Sequence, residues 1–172
     1  MQITPPDRTE ADPYYFTYID QVPRDADVLR VLETQLDETM ALLRGISNEK
    51  SLHRYASGKW SIRESVSHIN DTERVFAFRA LWFARGFDLP LPSFDQDVAV
   101  AGAFADQRSW RSHVDEFPAV RSASLHLFRN VQDDAWGRSG IASGKSFTVR
   151  ALAYITAGHV AHHLKILRER YL

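Results

Sequence analysis

The residues best placed to do chemistry are His159 and His163, in the segment AGHVAHHLKILRERYL. Positions i and i+4 of a helix stack one turn apart, so both rings can reach a common point, the geometry that lets a His-x-x-x-His pair hold a metal. With successive residues about 100° apart, Leu152, Ile155, Thr156, His159, His163, Ile166 and Leu167 share one apolar face. Two imidazoles there must stay neutral and each find partners for two nitrogens, because desolvation opposes protonation. A shared divalent cation meets both needs, and the competing reading is a pair of core histidines satisfied by hydrogen bonds. A third ligand must come from another helix, and His68 in SVSHINDTE is the natural candidate. It lies beside its helix's apolar stripe, on an edge with Ser61, Ser65, Thr72 and Arg79 that can border a polar cavity. Three neutral histidines without a fourth protein ligand describe an open site. An ion there can polarise a substrate oxygen, or lower the pKa of a bound water or thiol.

Other polar residues carry weaker expectations. Glu73 falls in an apolar stripe, where a carboxylate is costly unless paired; it is a weak candidate for catalysis, or an ion-pair partner of Arg79 or Arg150. Asp71 is a second weak catalytic candidate. With Asn70 it could instead orient the far nitrogen of His68, as ligand histidines usually require, or simply be exposed. His162 points off the stripe, which suits contact with a ligand, a partner surface or solvent. His53, His113 and His126 show no partnering pattern and are expected at the surface. The segment Ser93-Phe94-Asp95-Gln96-Asp97 either closes the mouth of the site or forms a solvated turn.

The elements that must position these groups follow from pattern and punctuation. The chain has 172 residues, 44% hydrophobic and 25% charged, with a formal charge of −1. That is enough for one domain with a continuous core, and residues 1–172 are read as one. No basic field exists to attract nucleic acid or an anionic membrane, and no apolar run approaches the roughly 20 residues of a membrane span. The opening MQITPPDRTEADPYY lacks the features of a signal peptide, so a cytoplasmic location is expected. Cysteine is absent, which excludes thiolate ligands and a protein thiol nucleophile. Any thiol chemistry must use a thiol from outside.

Residues 1–22, with Tyr14, Tyr15, Phe16 and Tyr18, read as an arm laid over the domain rather than a helix. A first helix follows Pro23 and Asp25 and carries Leu29, Leu32, Leu36, Met40 and Leu43 as far as Gly45. Ser61 and Glu64 form a capping box that opens a second helix, ending at Gly86. A long connection over 86–107 has a short helix at Val98–Ala105, and a connection of that length is usually functional. A third helix begins near Ser109, with Pro118 expected to kink or split it. The fourth runs from Phe147 or Thr148 to Arg170. No strand pattern is evident, so the expectation is an all-α four-helix bundle. Ser57-Gly58-Lys59 and Ser143-Gly144-Lys145 precede the second and fourth helices, a weak internal echo.

The segments GKWSIRESVSHINDTERVFAFRAL, LPSFDQD and AGHVAHHLKILRERYL together resemble the DinB-like superfamily, in the branch with Asp71, Glu73 and Arg79 after the first histidine. The resemblance spans nearly the whole chain. It implies an up-down-down-up bundle, often a homodimer, whose metal triad carries over to His68, His159 and His163 with nickel, zinc or a similar ion. Characterised members use low-molecular-weight thiols, and many others have no known activity. The expectation is a metal-dependent enzyme acting on a small molecule, either a thiol S-transferase or hydrolase-like. The alternative is a non-catalytic module that binds metal and a small ligand in stress response.

Overall fold

The computed structural model describes residues 3–172; Met1 and Gln2 of the expected arm lie outside it. Within the arm, Phe16–Ile19 form a helical turn, α1, where the sequence suggested no helix. Asp27, not Pro23 or Asp25, starts α2 (Val28–Arg44), its carboxylate accepting the Leu29 N–H at 2.8 Å. The capping box opens α3 (Ile62–Ala84): the Ser61 hydroxyl accepts the Glu64 N–H, and the Glu64 carboxylate accepts that of Ser61. The long connection contains α4 (Gln96–Ala103), capped by Asp95. Ser109 caps α5 (Trp110–Arg129), which continues through Pro118 without a break. Thr148 caps α6 (Val149–Ile166), followed by a π-helical turn at Leu167–Tyr171. No helix among the described residues is long and apolar enough to cross a membrane.

The buried side chains fall into two apolar clusters. Leu32, Phe76, Phe83, Leu125, Phe128, Leu152 and Ile155 belong to the first. Met40, Leu43, Val66, Ile69, Trp110, Phe117, Val160 and Leu164 belong to the second. Thus α2 and α6 begin in the first cluster and end in the second, while α3 and α5 run the other way. Between the clusters lies a polar belt. Arg121 of α5, fully buried, makes a two-pronged pair with Glu73 of α3, with Nε–Oε1 and Nη2–Oε2 both 2.8 Å. Its Nη1 donates to the Leu32 carbonyl and to Gln35 Oε1 of α2, and the Gln35 amide donates to the Ala157 carbonyl of α6. One buried charge pair therefore ties all four long helices at the same level. The partner of Glu73 is Arg121, not Arg79 or Arg150. Arg150 instead holds Glu10 of the arm.

The described residues also include strands, contrary to expectation. Ser139–Ala142 (β1) and Lys145–Thr148 (β2) pair antiparallel, with Ser139 opposite Thr148 and Ala142 opposite Lys145. The turn residues Ser143 and Gly144 have φ of 55° and 71°, the left-handed pair that a two-residue hairpin turn requires. Both edges are covered. Thr148 N–H donates to the Glu10 carbonyl beside an Ala11–Phe147 bridge, and Leu91 exchanges hydrogen bonds with Ile141 and Ser143. The hairpin thereby clasps the arm on one side and the α3–α4 connection on the other.

If the belt depends on paired charge, R121M should leave Glu73 buried and unpartnered and lower stability by about 3–5 kcal/mol. The double variant E73L/R121M should lie closer to wild type than R121M, because no charge is then stranded. Urea unfolding of the variants checks this, and losses that simply add would contradict it.

Candidate metal centre

His68 lies on α3 and is 4% exposed; His159, at 3%, and the half-buried His163 lie on α6. Their rings converge. His159 Nε2 is 3.1 Å from His68 Nε2 and 3.1 Å from His163 Nε2, and all three candidate ligand atoms lie within 4.8 Å of one another. Hydrogen bonds alone serve this arrangement poorly, since the single in-plane lone pair or single N–H of His159 Nε2 would have to serve both neighbours. A cation can accept all three lone pairs. Two nitrogens on one zinc-like ion at about 2.0–2.1 Å stand roughly 2.9–3.4 Å apart, depending on the angle, and the two short separations fall in that range. The residues present therefore fit one metal ion. Among the described residues no carboxylate joins the cluster, so the protein offers three ligand atoms.

The surroundings keep the imidazoles neutral. Burial pushes His68 down to about 4 and His163 to about 3. His159 lies well below the ordinary value through burial, and then through the nearness of His163, His68 and His162. Their lone pairs are therefore free near neutral pH. Thr72 Oγ1 lies 3.3 Å from His68 Nδ1, where it can accept a hydrogen bond from Nδ1–H and leave the Nε2 lone pair to face its neighbours. That is the orienting contact expected of Asn70 or Asp71. The side-chain amide of Asn70 is instead buried with no hydrogen-bond partner among the described residues, and Asp71 pairs with Arg74. Trp60 packs on His68 with ring centroids 4.8 Å apart, and the edges of Tyr18 and Phe76 meet His159 at 5.3 and 5.8 Å.

A cavity of about 150 Å³ opens on His68 and His159. Its walls are Thr72, Phe76 and Arg79 of α3, Tyr15 and Tyr18 of the arm, Phe94 and Gln96 of the connection, and Ser143 of the hairpin. A second cavity, about 310 Å³, reaches His163 past Trp60, Ser65, Asp97 and Tyr171. The segment 93–97 thus borders both mouths. Of the expected polar edge, Ser65, Thr72 and Arg79 line these cavities with His68, whereas Ser61 does not and instead donates to Asp106 Oδ1.

The remaining histidines divide. His53 and His126 are exposed, as expected. His113 is fully buried, its Nε2 2.9 Å from the Ala105 carbonyl, so the surface expectation fails. Its partner is a backbone atom of the connection, which no side-chain pattern reveals. His162 is half-buried, edge-on to Tyr18 at 5.4 Å and near Gln21. Sequence reasoning missed Tyr15, Tyr18 and Ser143 as wall residues. One usable signal was Gly158: a Cβ there would overlap the Tyr18 carbonyl. That glycine lets α1 lie against α6 and seats Tyr18 over His159.

A four-helix bundle with a buried three-histidine cluster open to a cavity is the class of protein that fold and site define. The chain belongs to the DinB superfamily, whose sequence model matches residues 31–167. The fold is similar to that of YfiT from Bacillus subtilis, described as a probable metal-dependent hydrolase with an unusual four-helix bundle topology. The two are 15% identical with a TM-score of 0.71, over 86% of this chain and 91% of that one. It is also similar to a mycothiol-dependent maleylpyruvate isomerase, 12% identical with a TM-score of 0.69 over 85% of this chain; the chain spans 61% of that protein's length. At these identities the likeness shows the fold. No curated protein sequence matches the chain.

Two outcomes follow from this packing. In the unfolded chain each histidine titrates near about 6.5, above its folded value, so below that pH the unfolded state binds more protons and stability falls as pH drops toward about 4. The urea midpoint of metal-stripped protein should therefore fall more steeply from pH 7 to pH 5 than that of H68Q/H159Q/H163Q; equal slopes would contradict the burial of neutral rings. Separately, Gly158→Ala should cost about 1–3 kcal/mol through overpacking, against a helix-propensity gain of about 1 kcal/mol. A rise in melting temperature would show that α1 does not rest on that glycine.

Proposed function

We propose that the protein is a metal-dependent enzyme acting on a small molecule, with His68, His159 and His163 holding one divalent ion. The observation that carries this reading is the approach of three neutral imidazole nitrogens, from two helices, at the wall of a cavity. Nickel and zinc both suit an all-imidazole donor set. We also read the chain as one DinB-like domain with an up-down-down-up bundle that pairs as a homodimer. The opposed directions of α2 and α6 against α3 and α5 support the topology, and family membership supports the rest.

When bound, such an ion supplies Lewis acidity: it polarises a substrate oxygen, or holds a thiol or water in deprotonated form near neutral pH. The chain's own residues do the rest. Thr72 fixes the tautomer and orientation of His68. Tyr18, Phe76 and Trp60 pack around the rings and exclude bulk water, which strengthens electrostatic effects inside. Burial raises the Tyr18 hydroxyl far above its ordinary pKa, so it remains a proton donor, and it lies 3.2 Å from the Tyr14 hydroxyl. Glu73 has both oxygens occupied by Arg121. We assign it a positioning role, one turn beyond His68's neighbours on α3, rather than acid or base catalysis.

Two cavities meeting at one cluster favour a two-reactant process, with a low-molecular-weight thiol as one reactant; a hydrolysis would use water in its place. The chain has no cysteine of its own. Tag-free protein loaded with nickel or zinc should turn over members of a panel pairing thiols with electrophiles. His159→Ala should lose both the stoichiometric ion and turnover, at least a hundredfold, while keeping its helical circular dichroism. Turnover by metal-free wild type would overturn the proposal, and ligand protection without product would favour a binding module instead.

A further inference from the structure

Arg79 of α3 is 4% exposed and lines the same cavity as His68 and His159. Among the described residues it forms no ion pair. Its guanidinium Nη2 donates to Ser143 Oγ at 2.9 Å, and it meets the Tyr15 hydroxyl, both neutral groups. Every other deeply buried arginine is better matched. Arg121 has Glu73, and Arg63 is spread over Ser51, Asn48 and the carbonyls of Asp106 and Arg108. A buried cation without a counter-charge is expensive, and a guanidinium offers five N–H donors in a planar fork. At Arg79 the fold maintains that cost beside a cavity, and the turn that presents the Ser143 hydroxyl does so from a left-handed backbone.

The rest of the cavity narrows what would answer this charge. Among the described residues, Arg79 is the single Asp, Glu, Lys or Arg in its lining, so one formal negative charge balances it. Around it stand neutral hydroxyl and amide groups, Tyr15, Tyr18, Gln96 and Ser143, with Phe76 and Phe94 as apolar walls. The volume, about 150 Å³, is that of a cavity which accommodates benzene, hence a ligand of about six non-hydrogen atoms.

We infer that this cavity binds a small monocarboxylate, its carboxylate on Arg79 and its other end against His68 and His159. Arg79 is then the specificity-determining residue, the two aromatic rings hold the short apolar span, and Ser143 and Tyr15 keep the fork turned into the cavity. The inference deepens the proposed function by naming the substrate class, but the Arg79 contact itself requires no metal.

Butyrate and butyramide, each of six non-hydrogen atoms and alike in shape, separate charge from fit. Chemical shifts of the Arg79 side chain and of amides in 15N-labelled, metal-free full-length protein would be followed during titration with each. Butyrate is expected to bind at least tenfold more tightly than butyramide and to shift Arg79 and Ser143. In Arg79→Gln that preference should vanish, and in Arg79→Lys part of it should survive. Equal binding of the two probes to wild type, which needs no variant to fold, would overturn the inference. So would inorganic phosphate binding as tightly as butyrate, or a butyrate site whose shifts spare Arg79. Because the titration is run without metal, a protein that binds an ion but not butyrate would refute this inference alone, whereas one that binds butyrate but no ion would refute the proposed function alone.

Discussion

Three imidazole lone pairs aimed at one another inside a protein core are an unstable arrangement unless something shares them. Each ring must be neutral to offer a lone pair, and burial holds all three below their ordinary pKa, with the neighbouring imidazoles adding to it at His159 and His163. Most of the architecture answers to this constraint. The rings sit at a fixed spacing on α6 and opposite it on α3, so the two helices cannot slide or rotate relative to each other without breaking the convergence. An ion bound by all three would draw its affinity from that prior ordering and return it as stability of the folded state.

The belt of Glu73, Arg121 and Gln35 gives α3 and α6 their mutual register. It divides the apolar interior into two clusters and binds Ala157 only two residues from His159. A charge pair so deeply buried is a poor source of net stability. What it supplies is specificity of level, since sliding any one of the four helices would break a prong of the guanidinium or a bond to the carbonyls of Leu32 and Ala157. Outside the bundle, the hairpin does comparable work for the cavity. By pairing with the arm and with the α3–α4 connection it fixes the three irregular segments that supply Tyr15, Phe94 and Ser143 as walls.

How much of this could be read from residues alone depended on the range of the interaction. The four long helices and the caps at Ser61, Ser109 and Thr148 were legible because a serine three residues before a glutamate, or an apolar residue every three to four positions, is a local fact; the cap of α2 was misplaced from Asp27 to Pro23 or Asp25, and α1 was not foreseen. The histidine pair was legible for the same reason, and its partner on α3 followed from the polar edge on which His68 sits. The pairing of Glu73 with Arg121 was not, because 48 residues separate them and several arginines were equally plausible on charge. The hairpin escaped because each strand is four residues long, too short for a period of two to declare itself. His113 looked like a surface residue because its partner is a backbone carbonyl. Tyr18 looked like mere packing, since its place over His159 depends on a glycine in a distant helix.

The claim on which the rest stands is that all three imidazoles bind the same ion. X-ray absorption at the metal edge of tag-free, zinc-reconstituted protein reads this directly, through the multiple scattering particular to imidazole. Three histidine nitrogens at about 2.0–2.1 Å, completed by light-atom scatterers from solvent, are expected. A shell with one or two imidazoles, or one dominated by carboxylate oxygens, would mean that the ion lies elsewhere and that the cluster is a set of core histidines.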